Sequence, residues 1–351
     1  MNAPIKRISP STVHSFYQCP LREVLRSNKE PTLLPFFPSA RLGIAIHAVL
    51  EEAAKGNIKN MSSFEEQWSI QVGRVENIME KLVSEKHLVP LADSERTYEV
   101  KKIRTWNMIK NEFVTPHVGN KFPSVSMEKW LESASTKVRG RIDLLIIGES
   151  GAEIIDYKTG DIIDENGNPK DEYQLQMKIY AALYHDNYSE WPKKLTIIGL
   201  NQERYNINFT PEECQKLILN LESKLDSINQ IIMSIEPIFK LATPSPNACR
   251  FCMYRPSCRP YWRERNNSGD WPNDIAGRVV EMTISGIGLV RVVVENNGVR
   301  YIIRGLSKRQ SLLAQNPVNI MVCNLSMDHF SGQFLENQMT MVFEEKFDIS
   351  I

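Results

Sequence analysis

Two aspartates in the segment Lys137–Thr159 have the type and spacing expected of ligands for a divalent metal, and a lysine lies beside them in the sequence. Asp143 comes thirteen residues before Asp156, and Lys158 follows Asp156 after one residue. If this segment is a strand, side chains alternate, so Asp156 and Lys158 share one face and Tyr157 can offer that face only its backbone carbonyl. Two carboxylates and a carbonyl form a hard oxygen site suited to Mg²⁺ or Mn²⁺, with an ammonium group beside it.

The sequence around these residues predicts two neighbouring strands. The apolar runs Ile142–Ile147 and Ala152–Ile155 flank Gly148–Gly151, a turn signal that is typical of a short hairpin. A carboxylate on a buried strand costs several kcal/mol unless it is paired or holds a metal. A buried Asp–Lys ion pair at a sheet edge would explain the D-x-K spacing alone, and the second acid on the paired strand favours the metal site.

A helix predicted over residues 41–55 carries a histidine. Its apolar residues recur at helical spacing, at Leu42, Ala45, Ile46, Val49 and Leu50. His47 lies one turn before Glu51, on the same face. Taken alone, His47 is either a structural histidine or a metal ligand.

A second helix is predicted to begin at Asp171, after the polar loop that follows Lys158. Gln176 and Tyr180 are four residues apart and therefore lie on one face of it. Taken alone, Tyr180 is explained as a core residue. Gln174 is also available, so the register of the glutamine stays open by two residues.

These motifs together resemble the PD-(D/E)XK nuclease superfamily, in its RecB-like branch. G-R-I-D, ending at Asp143, and I-I-D-Y-K-T, which contains Asp156 and Lys158, are similar to its catalytic core. G-x-x-x-H-x-x-L-E around His47 resembles the branch's first motif, in which the histidine meets the active-site metal. The resemblance implies that Asp143, Asp156 and Lys158 are catalytic. It also implies that the metal ligands are His47, the two aspartates and the Tyr157 carbonyl.

Further along, Q-x-x-x-Y resembles a motif of the same branch that supports the site and contacts DNA. This implies that Gln176 and Tyr180 position the substrate. The resemblance extends over residues 9–262, with the motifs in family order. It implies an α/β fold with a restriction-endonuclease-like mixed sheet flanked by helices.

Cysteines form a second candidate metal site. Cys249, Cys252 and Cys258 have the spacing C-x-x-C-x5-C, in which two thiols separated by two residues can bind one metal from a tight turn. A fourth ligand is missing locally. Zinc is one chemical possibility, and spacing alone does not choose between zinc and an iron–sulfur cluster. Cys214 and Cys323 fall in a predicted helix and a predicted strand, and are expected to be core residues.

A distant cysteine completes the set through a resemblance. Cys19 before Pro20, combined with the later C-x-x-C-x5-C, is similar to the iron–sulfur members of the branch, AddB and the CRISPR-associated RecB-like exonucleases. This implies a [4Fe–4S] cluster held by Cys19, Cys249, Cys252 and Cys258, with Zn²⁺ as the alternative. Basic and aromatic residues surround these cysteines, which suits a phosphate backbone and bases. A solvated, metal-folded knuckle is the other explanation.

The chain is expected to contain two domains and a linker. The nuclease-like domain, with its cysteines, covers residues 1–265, and turn-forming residues at 266–274 form the linker. Residues 275–351 contain short runs that alternate with period two, and Asn296–Gly298 is a hairpin turn signal. These features predict a small all-β barrel similar to an OB fold.

Composition narrows the possible partners and the compartment. The 351 residues include 42 Lys and Arg and 42 Asp and Glu, so the formal net charge is +0 and any DNA site must be a local basic patch. No run approaches the roughly 20 apolar residues of a membrane span, and the N-terminus lacks an apolar signal-peptide core. We therefore expect a cytoplasmic protein without membrane contacts, in which the cysteines do not form disulfides.

The interpretation that accounts for both sites is a metal-dependent DNA nuclease. It is expected to be an exonuclease on single-stranded or end-containing DNA, acting in DNA repair, recombination or anti-phage defence. The chain contains no G-x-x-x-x-G-K-[ST] motif, so a helicase or another repair or defence subunit is a partner expected by analogy. Two alternatives stay open. One is a DNA-binding or interaction subunit that uses the nuclease fold as a scaffold, and the other is a zinc-stapled interaction module with structural carboxylates.

Overall fold

The computed structural model describes residues 3–114, 124–265, 270–307, 311–315 and 317–344. These residues form two compact units. The first unit consists of Met1–Asn28, Pro38–Leu82 and Lys86–Glu236, and the second of Lys29–Phe37, Val83–Glu85 and Pro237–Ile351. The cysteine segment at 249–258 thus lies in the same unit as the C-terminal strands, whereas its place in the sequence predicts it within the nuclease-like domain, residues 1–265.

Most of the helical residues lie in the first unit. Its α-helices are α1 (Val13–Gln18), α2 (Pro20–Ser27), α3 (Pro38–Ala54), α4 (Met61–Met79), α5 (Leu91–Ser94), α6 (Tyr98–Ile109), α7 (Asp171–Tyr188) and α8 (Pro211–Met233). Short 3-10 turns at Pro10–Thr12 and Lys86–Leu88 and a π turn at Lys110–Val114 adjoin them. α1 ends at Gln18, with Cys19 as its C-cap, because Pro20 cannot continue the helix, and the same proline is tolerated in the first turn of α2.

A five-stranded mixed sheet forms the centre of the first unit. Its strands are β1 (Ser124–Glu132), β2 (Arg139–Gly148), β3 (Gly151–Lys158), β4 (Lys194–Gly199) and β5 (Arg204–Asn206), in the order β1-β2-β3-β4-β5. The pairs are antiparallel except β3 and β4, which are parallel and are joined through α7. A parallel pair needs such a crossover, so α7 is brought back against the sheet beside the end of β3.

The predicted hairpin joins β2 to β3. Gly148 and Gly151 are paired at its end, and Gly151 has a φ of 110°, a conformation that only glycine adopts readily. The register then runs back to the pair of Leu144 with Ile155. Because this register is fixed by the hairpin, it also fixes which side chains of the two strands lie side by side.

The second unit is built on a seven-stranded sheet. Its strands are β6 (Ile275–Ile284), β7 (Val290–Asn296), β8 (Val299–Leu306), β9 (Asn319–Cys323), β10 (Ser326–Asp328), β11 (Gln333–Leu335) and β12 (Met341–Glu344). They follow the order β10-β11-β8-β7-β6-β9-β12, in which only the β11–β8 pair, among those described, is parallel. The predicted hairpin joins β7 to β8, with positive φ at Asn297 and Gly298, as a tight turn between twisted strands requires.

The two faces of this sheet bury different partners. On one face the side chains form a core of their own, which includes Ile275, Val292, Val294, Ile303, Ile320 and Val322. On the other face, Ala276, Met321 and Cys323 pack with Leu34 and with two partly buried side chains, Met253 of the cysteine segment and Trp262 just after it. Alternation along β6 and β9 therefore explains why the cysteine segment folds with the C-terminal strands.

The expected linker at 266–274 is only partly covered, because 266–269 lie outside the described residues. At its end, Asp274 is fully buried rather than solvated. No helix in the described parts of the chain combines the length and the apolarity needed to cross a membrane.

Candidate functional site

Asp143 and Asp156 lie side by side where β2 and β3 part. Each is one residue past the pair of Leu144 with Ile155 that ends the register of the two strands. Asp143 Oδ2 accepts a hydrogen bond of 2.8 Å from the backbone N–H of Tyr157, which ties the two strands together at this point. The hairpin therefore carries both carboxylates to one place.

Helix α3 brings His47 to the same place. His47 Nδ1 lies 3.4 Å from Asp143 Oδ2. One turn earlier, a Cβ on Gly43 would lie 2.8 Å from the Thr159 hydroxyl oxygen, closer than real Cβ contacts allow. Gly43 thus lets α3 approach the end of β3, and this close approach positions His47.

A chain of polar contacts joins Asp156, Lys158 and α7. Lys158 Nζ lies 2.7 Å from Asp156 Oδ2 and donates to Gln176 Oε1 at 2.8 Å. The Gln176 Nε2 donates in turn to Asp156 Oδ1 at 2.9 Å. Gln174 instead donates to the carbonyl of Pro169, so the glutamine that faces the carboxylates is Gln176.

The two carboxylates have opposite pKa shifts. Burial is the main cause that raises the pKa of Asp156, with Lys158 opposing it and Asp143 adding to it. Burial also acts to raise the pKa of Asp143, but His47 and the Tyr157 N–H outweigh it and the pKa is lowered. For His47, burial acts to lower the pKa, and the Asp143 carboxylate outweighs it, so the pKa is raised. The site therefore combines an ionised Asp143 with a carboxyl group that takes up a proton more readily.

Two sequence-predicted residues contact other parts of the structure. The Tyr157 side chain is buried and its hydroxyl has no hydrogen-bond partner within the described residues. The Tyr180 hydroxyl donates to the carbonyl of Arg141 at 2.8 Å, so Tyr180 holds β2 at this residue. The ring centroid of Tyr173, a residue that the motifs do not single out, lies 4.7 Å from Lys158 Nζ. Its position three residues before Gln176, on the same helical face, was the signal.

The donor set suits a divalent cation. Asp156 Oδ2 is buried, lies 2.7 Å from Lys158 Nζ and, within the described residues, has no hydrogen-bond partner of good geometry. A buried carboxylate oxygen of this kind, beside a second carboxylate, is the hard ligand that Mg²⁺ and Mn²⁺ prefer. Within the described ranges, no three His, Cys, Asp or Glu side chains are grouped as ligands of one metal.

A cavity of about 920 Å³ adjoins the end of β3. Thr159 and Gly160, directly after Lys158, form part of its wall. Charged residues of both signs line the rest: Glu95, Lys101, Arg104, Asp161, Asp164, Glu165, Lys170 and Glu203. The cavity is therefore a neighbour of the carboxylate site with a mixed electrostatic character.

The predicted cysteine ligands are divided between the two units. Cys19 lies between α1 and α2 in the first unit. In the second unit, Cys249 lies in α9 (Pro246–Arg250), Cys252 follows it, and Cys258 is the N-cap of α10 (Arg259–Glu264). The structure describes all six cysteines, and none of them forms a disulfide.

Arg255 organises the cysteine segment. Its Nη1 lies within hydrogen-bond distance of the carbonyls of Cys249, Arg250 and Cys252, at 3.3, 3.3 and 3.2 Å. Its Nε donates to Asp274 at 2.5 Å, and both side chains are almost completely buried. This ion pair fixes the backbone of the C-x-x-C turn to the start of β6. Its two residues are nineteen apart in the chain, so the local sequence does not predict the pair.

Comparison with known proteins agrees with this geometry. A family model described as the PD-(D/E)XK nuclease superfamily matches residues 7–259. The matched range spans the carboxylate site and the cysteine segment. A search of curated proteins found no match.

Proposed function

Since the chain belongs to the PD-(D/E)XK nuclease superfamily, we propose that it is a DNA nuclease of the RecB-like branch that uses Mg²⁺ or Mn²⁺. The superfamily implies metal-dependent nuclease activity in general, and the branch and the metal are our proposal. The observation that carries it is the contact chain from Lys158 through Gln176 to Asp156, beside Asp143. The amide satisfies the remaining hydrogen-bonding groups of the buried Lys158–Asp156 pair. The second carboxylate, Asp143 on β2, is the feature that a structural ion pair alone would not require.

Each residue has a role in this proposal. Asp143, Asp156, the Tyr157 carbonyl and His47 hold the divalent ions. When bound, such an ion polarises the scissile phosphate and lowers the pKa of an attacking water. Lys158 orients that water or stabilises the charge that develops on the phosphoryl oxygens.

The amide of Gln176 keeps this arrangement in one geometry. It donates to Asp156 Oδ1 and accepts from Lys158, so it holds both members of the directly contacting Lys158–Asp156 pair. Tyr173 covers the ammonium with its ring face, which is an electrostatically favourable contact. Tyr180 holds β2 through the carbonyl of Arg141, and in this way positions the strand that carries Asp143.

The test is cleavage by Asp156→Asn and Lys158→Ala variants with Mn²⁺ on end-labelled linear and closed circular DNA. Each variant should lose at least ~2.7–4 kcal/mol of transition-state stabilisation, which is roughly 100- to 1,000-fold in rate. Lys178→Ala is the matched control, because Lys178 is also 16% exposed and also ion-paired, but with Glu213 on α8.

Three outcomes separate the possibilities. Wild-type rates for both active-site variants would remove the nuclease assignment. Metal-dependent DNA binding without cleavage would favour the scaffold alternative. Cleavage of linear but not circular DNA would support the proposed exonuclease. Its proposed role in repair, recombination or defence, its helicase or other partner subunit and its cytoplasmic location rest on the resemblance.

We also propose that Cys19, Cys249, Cys252 and Cys258 hold a [4Fe–4S] cluster, with zinc as the competing metal. The support is the chemistry and order of the donors, together with the Arg255 hydrogen bonds that shape the C-x-x-C turn. Anaerobically purified protein should be brown, with iron and sulfide in equal amounts. Cys19→Ala should lose both, and Cys214→Ala, which removes a thiol from α8, should lose neither. One zinc and no sulfide per chain would refute the cluster and leave a zinc staple.

The C-terminal strands are proposed to form an OB-like barrel that orients substrate or docks a partner. Its arginines are engaged by acids: Arg291 lies 2.5 Å from Glu281, and Arg304 lies 3.1 Å from Asp328. Single-strand binding needs a basic groove as well as aromatic faces. An Arg291→Gln, Arg304→Gln double variant should therefore bind single-stranded DNA within about threefold of wild type, and a much larger loss would make this module a main DNA-binding element.

A further inference from the structure

An exposed tryptophan lies beside two arginines on the surface of the first unit. Trp130 on β1 is 54% exposed, although tryptophan is one of the most apolar side chains to leave in water. The Arg139 guanidinium lies 4.5 Å from its ring centroid, and that of Arg141 lies 5.9 Å away. These distances are those of cation–π contacts, which hold the ring in place and surround it with positive charge.

These residues lie in line with the carboxylate site. Side chains alternate along β2, so Arg139, Arg141 and Asp143 share one face, and the intervening Gly140 and Ile142 are buried on the other. Trp130 is the cross-strand partner of Arg141. At about 3.4 Å per residue, the Cα atoms of Arg141 and Arg139 lie roughly 7 and 14 Å along the strand from that of Asp143.

Arg139 and Arg141 place two guanidinium groups beside the exposed ring, although the chain as a whole is neutral. Glu132, the cross-strand partner of Arg139, lies 2.8 Å from Arg7 Nε, so a third guanidinium offsets this carboxylate. Guanidinium groups placed in this way attract a phosphate backbone without a global field.

The surface is also firmly connected to the site. The Tyr180 hydroxyl donates to the carbonyl of Arg141, and α7, which carries Tyr180, also carries Gln176. A Cβ on Gly140 would lie 2.7 Å from both Pro10 and the Tyr180 ring, so β2 packs tightly against both. A ligand held at Trp130 is thus held at a defined distance from Asp156.

We propose that Trp130, with Arg139 and Arg141, forms a stacking platform for an unpaired nucleobase one or two nucleotides from the scissile phosphate. This inference rests on the proposed nuclease function and adds to it the residues that would select its substrate, single-stranded DNA or a frayed end. The ring offers its face to a base, and the arginines neutralise the adjoining phosphates. A base inside a closed duplex has both faces covered by its neighbours, so the platform selects unpaired bases.

The experiment measures binding without catalysis. Fluorescence anisotropy of a labelled single-stranded oligonucleotide and of a closed dumbbell duplex is followed with full-length protein in EDTA. Trp130→Ala should weaken single-strand binding about 5- to 140-fold, the equivalent of ~1–3 kcal/mol per stacked base. Trp130→Phe, which keeps a ring face, should stay within about threefold. Leu219→Ala is the control, because it removes an exposed apolar side chain from α8.

A second variant tests the charges independently of the ring. Arg141→Gln should lower the slope of log K against log salt by about 0.7 on single strands, which is the loss of one phosphate contact. Unchanged single-strand affinity of Trp130→Ala, or an equal loss on the dumbbell, would overturn the platform. This binding assay involves no cleavage, so it tests the platform separately from the nuclease. If the protein binds single strands through Trp130 but does not cut DNA, the nuclease proposal is refuted and the platform proposal is not.

Discussion

Replacing Asp274 with alanine should destabilise the second unit strongly, because it leaves a buried guanidinium without its counter-ion. The Arg255 side chain is 3% exposed and that of Asp274 is 0% exposed. Asp274 also accepts hydrogen bonds from the Tyr261 hydroxyl at 2.9 Å and from the Asn324 N–H at 2.8 Å. Alanine removes every one of these acceptors at once.

The expected magnitude follows from this burial. Removing one partner of a buried ion pair costs about 3–5 kcal/mol, which lowers the folding equilibrium constant by a factor of roughly 140 to 4,000. Replacing both partners with apolar residues, as in an Arg255→Met, Asp274→Leu double variant, removes the uncompensated charge. The double variant should therefore be more stable than Asp274→Ala, although the Tyr261 and Asn324 donors stay unsatisfied.

Hydrogen–deuterium exchange of the β9 amides measures this directly, since β9 is paired with β6 directly after Asp274. The opening free energy of these amides should fall by about 3–5 kcal/mol in Asp274→Ala. Glu281→Ala is the matched control, because its partner Arg291 is exposed and such pairs are worth at most about 1 kcal/mol. A loss below about 1 kcal/mol in Asp274→Ala, or a double variant less stable than the single one, would refute the reasoning.

Three further predictions concern single side chains. Gly277→Ala should lower the free energy of unfolding, measured by heat or urea, by about 1–3 kcal/mol, because the new Cβ would lie 2.3 Å from a carbonyl oxygen of β7. Gly286→Ala is the control, because its Cβ would meet nothing within 4 Å and the stability should not change. Burial raises the pKa of Cys214 to about 12, so mass spectrometry should find it unmodified by iodoacetamide near neutral pH unless the protein is unfolded. Since the unfolded thiol ionises at lower pH than the folded one, the stability contributed by Cys214 should fall as pH rises above about 8.5. Gln176→Leu should lower kcat about 10- to 100-fold with KM nearly unchanged, and Gln174→Leu should not.

Local sequence patterns were sufficient to predict features that depend on one strand, turn or helix. The β2–β3 hairpin followed from two apolar runs around a glycine-bounded turn, and the structure shows it with Gly148 paired to Gly151. The superfamily, predicted from the motifs on these strands and on α3 and α7, is confirmed by the family match over residues 7–259. The RecB-like branch and the cluster stay predictions.

Local sequence patterns did not predict the features that depend on contacts between residues distant in the chain. Nothing local to Asp274 distinguishes it from the turn-forming residues before it, and its role appears only when Arg255, Tyr261 and Asn324 converge on it. The predicted domain boundary at residue 265 stays a prediction, and the packing of the cysteine segment against β6 and β9 depends on alternate faces of a sheet formed later in the chain. The parallel pairing of β8 with β11 is another long-range choice that no single segment encodes.

The path of the chain through the two units has a consequence for biosynthesis. Two stretches of the second unit, Lys29–Phe37 and Val83–Glu85, come early in the sequence, between parts of the first unit. The rest of the second unit begins only at Pro237. As the ribosome releases the chain from the N-terminus, these early stretches wait for their strands through most of translation. Leu34 is then an apolar side chain without its partners, exposed to chaperones or to aggregation. The two units therefore cannot be separated by cutting one peptide bond, and a shortened chain that begins or ends between them leaves one unit without part of its own core.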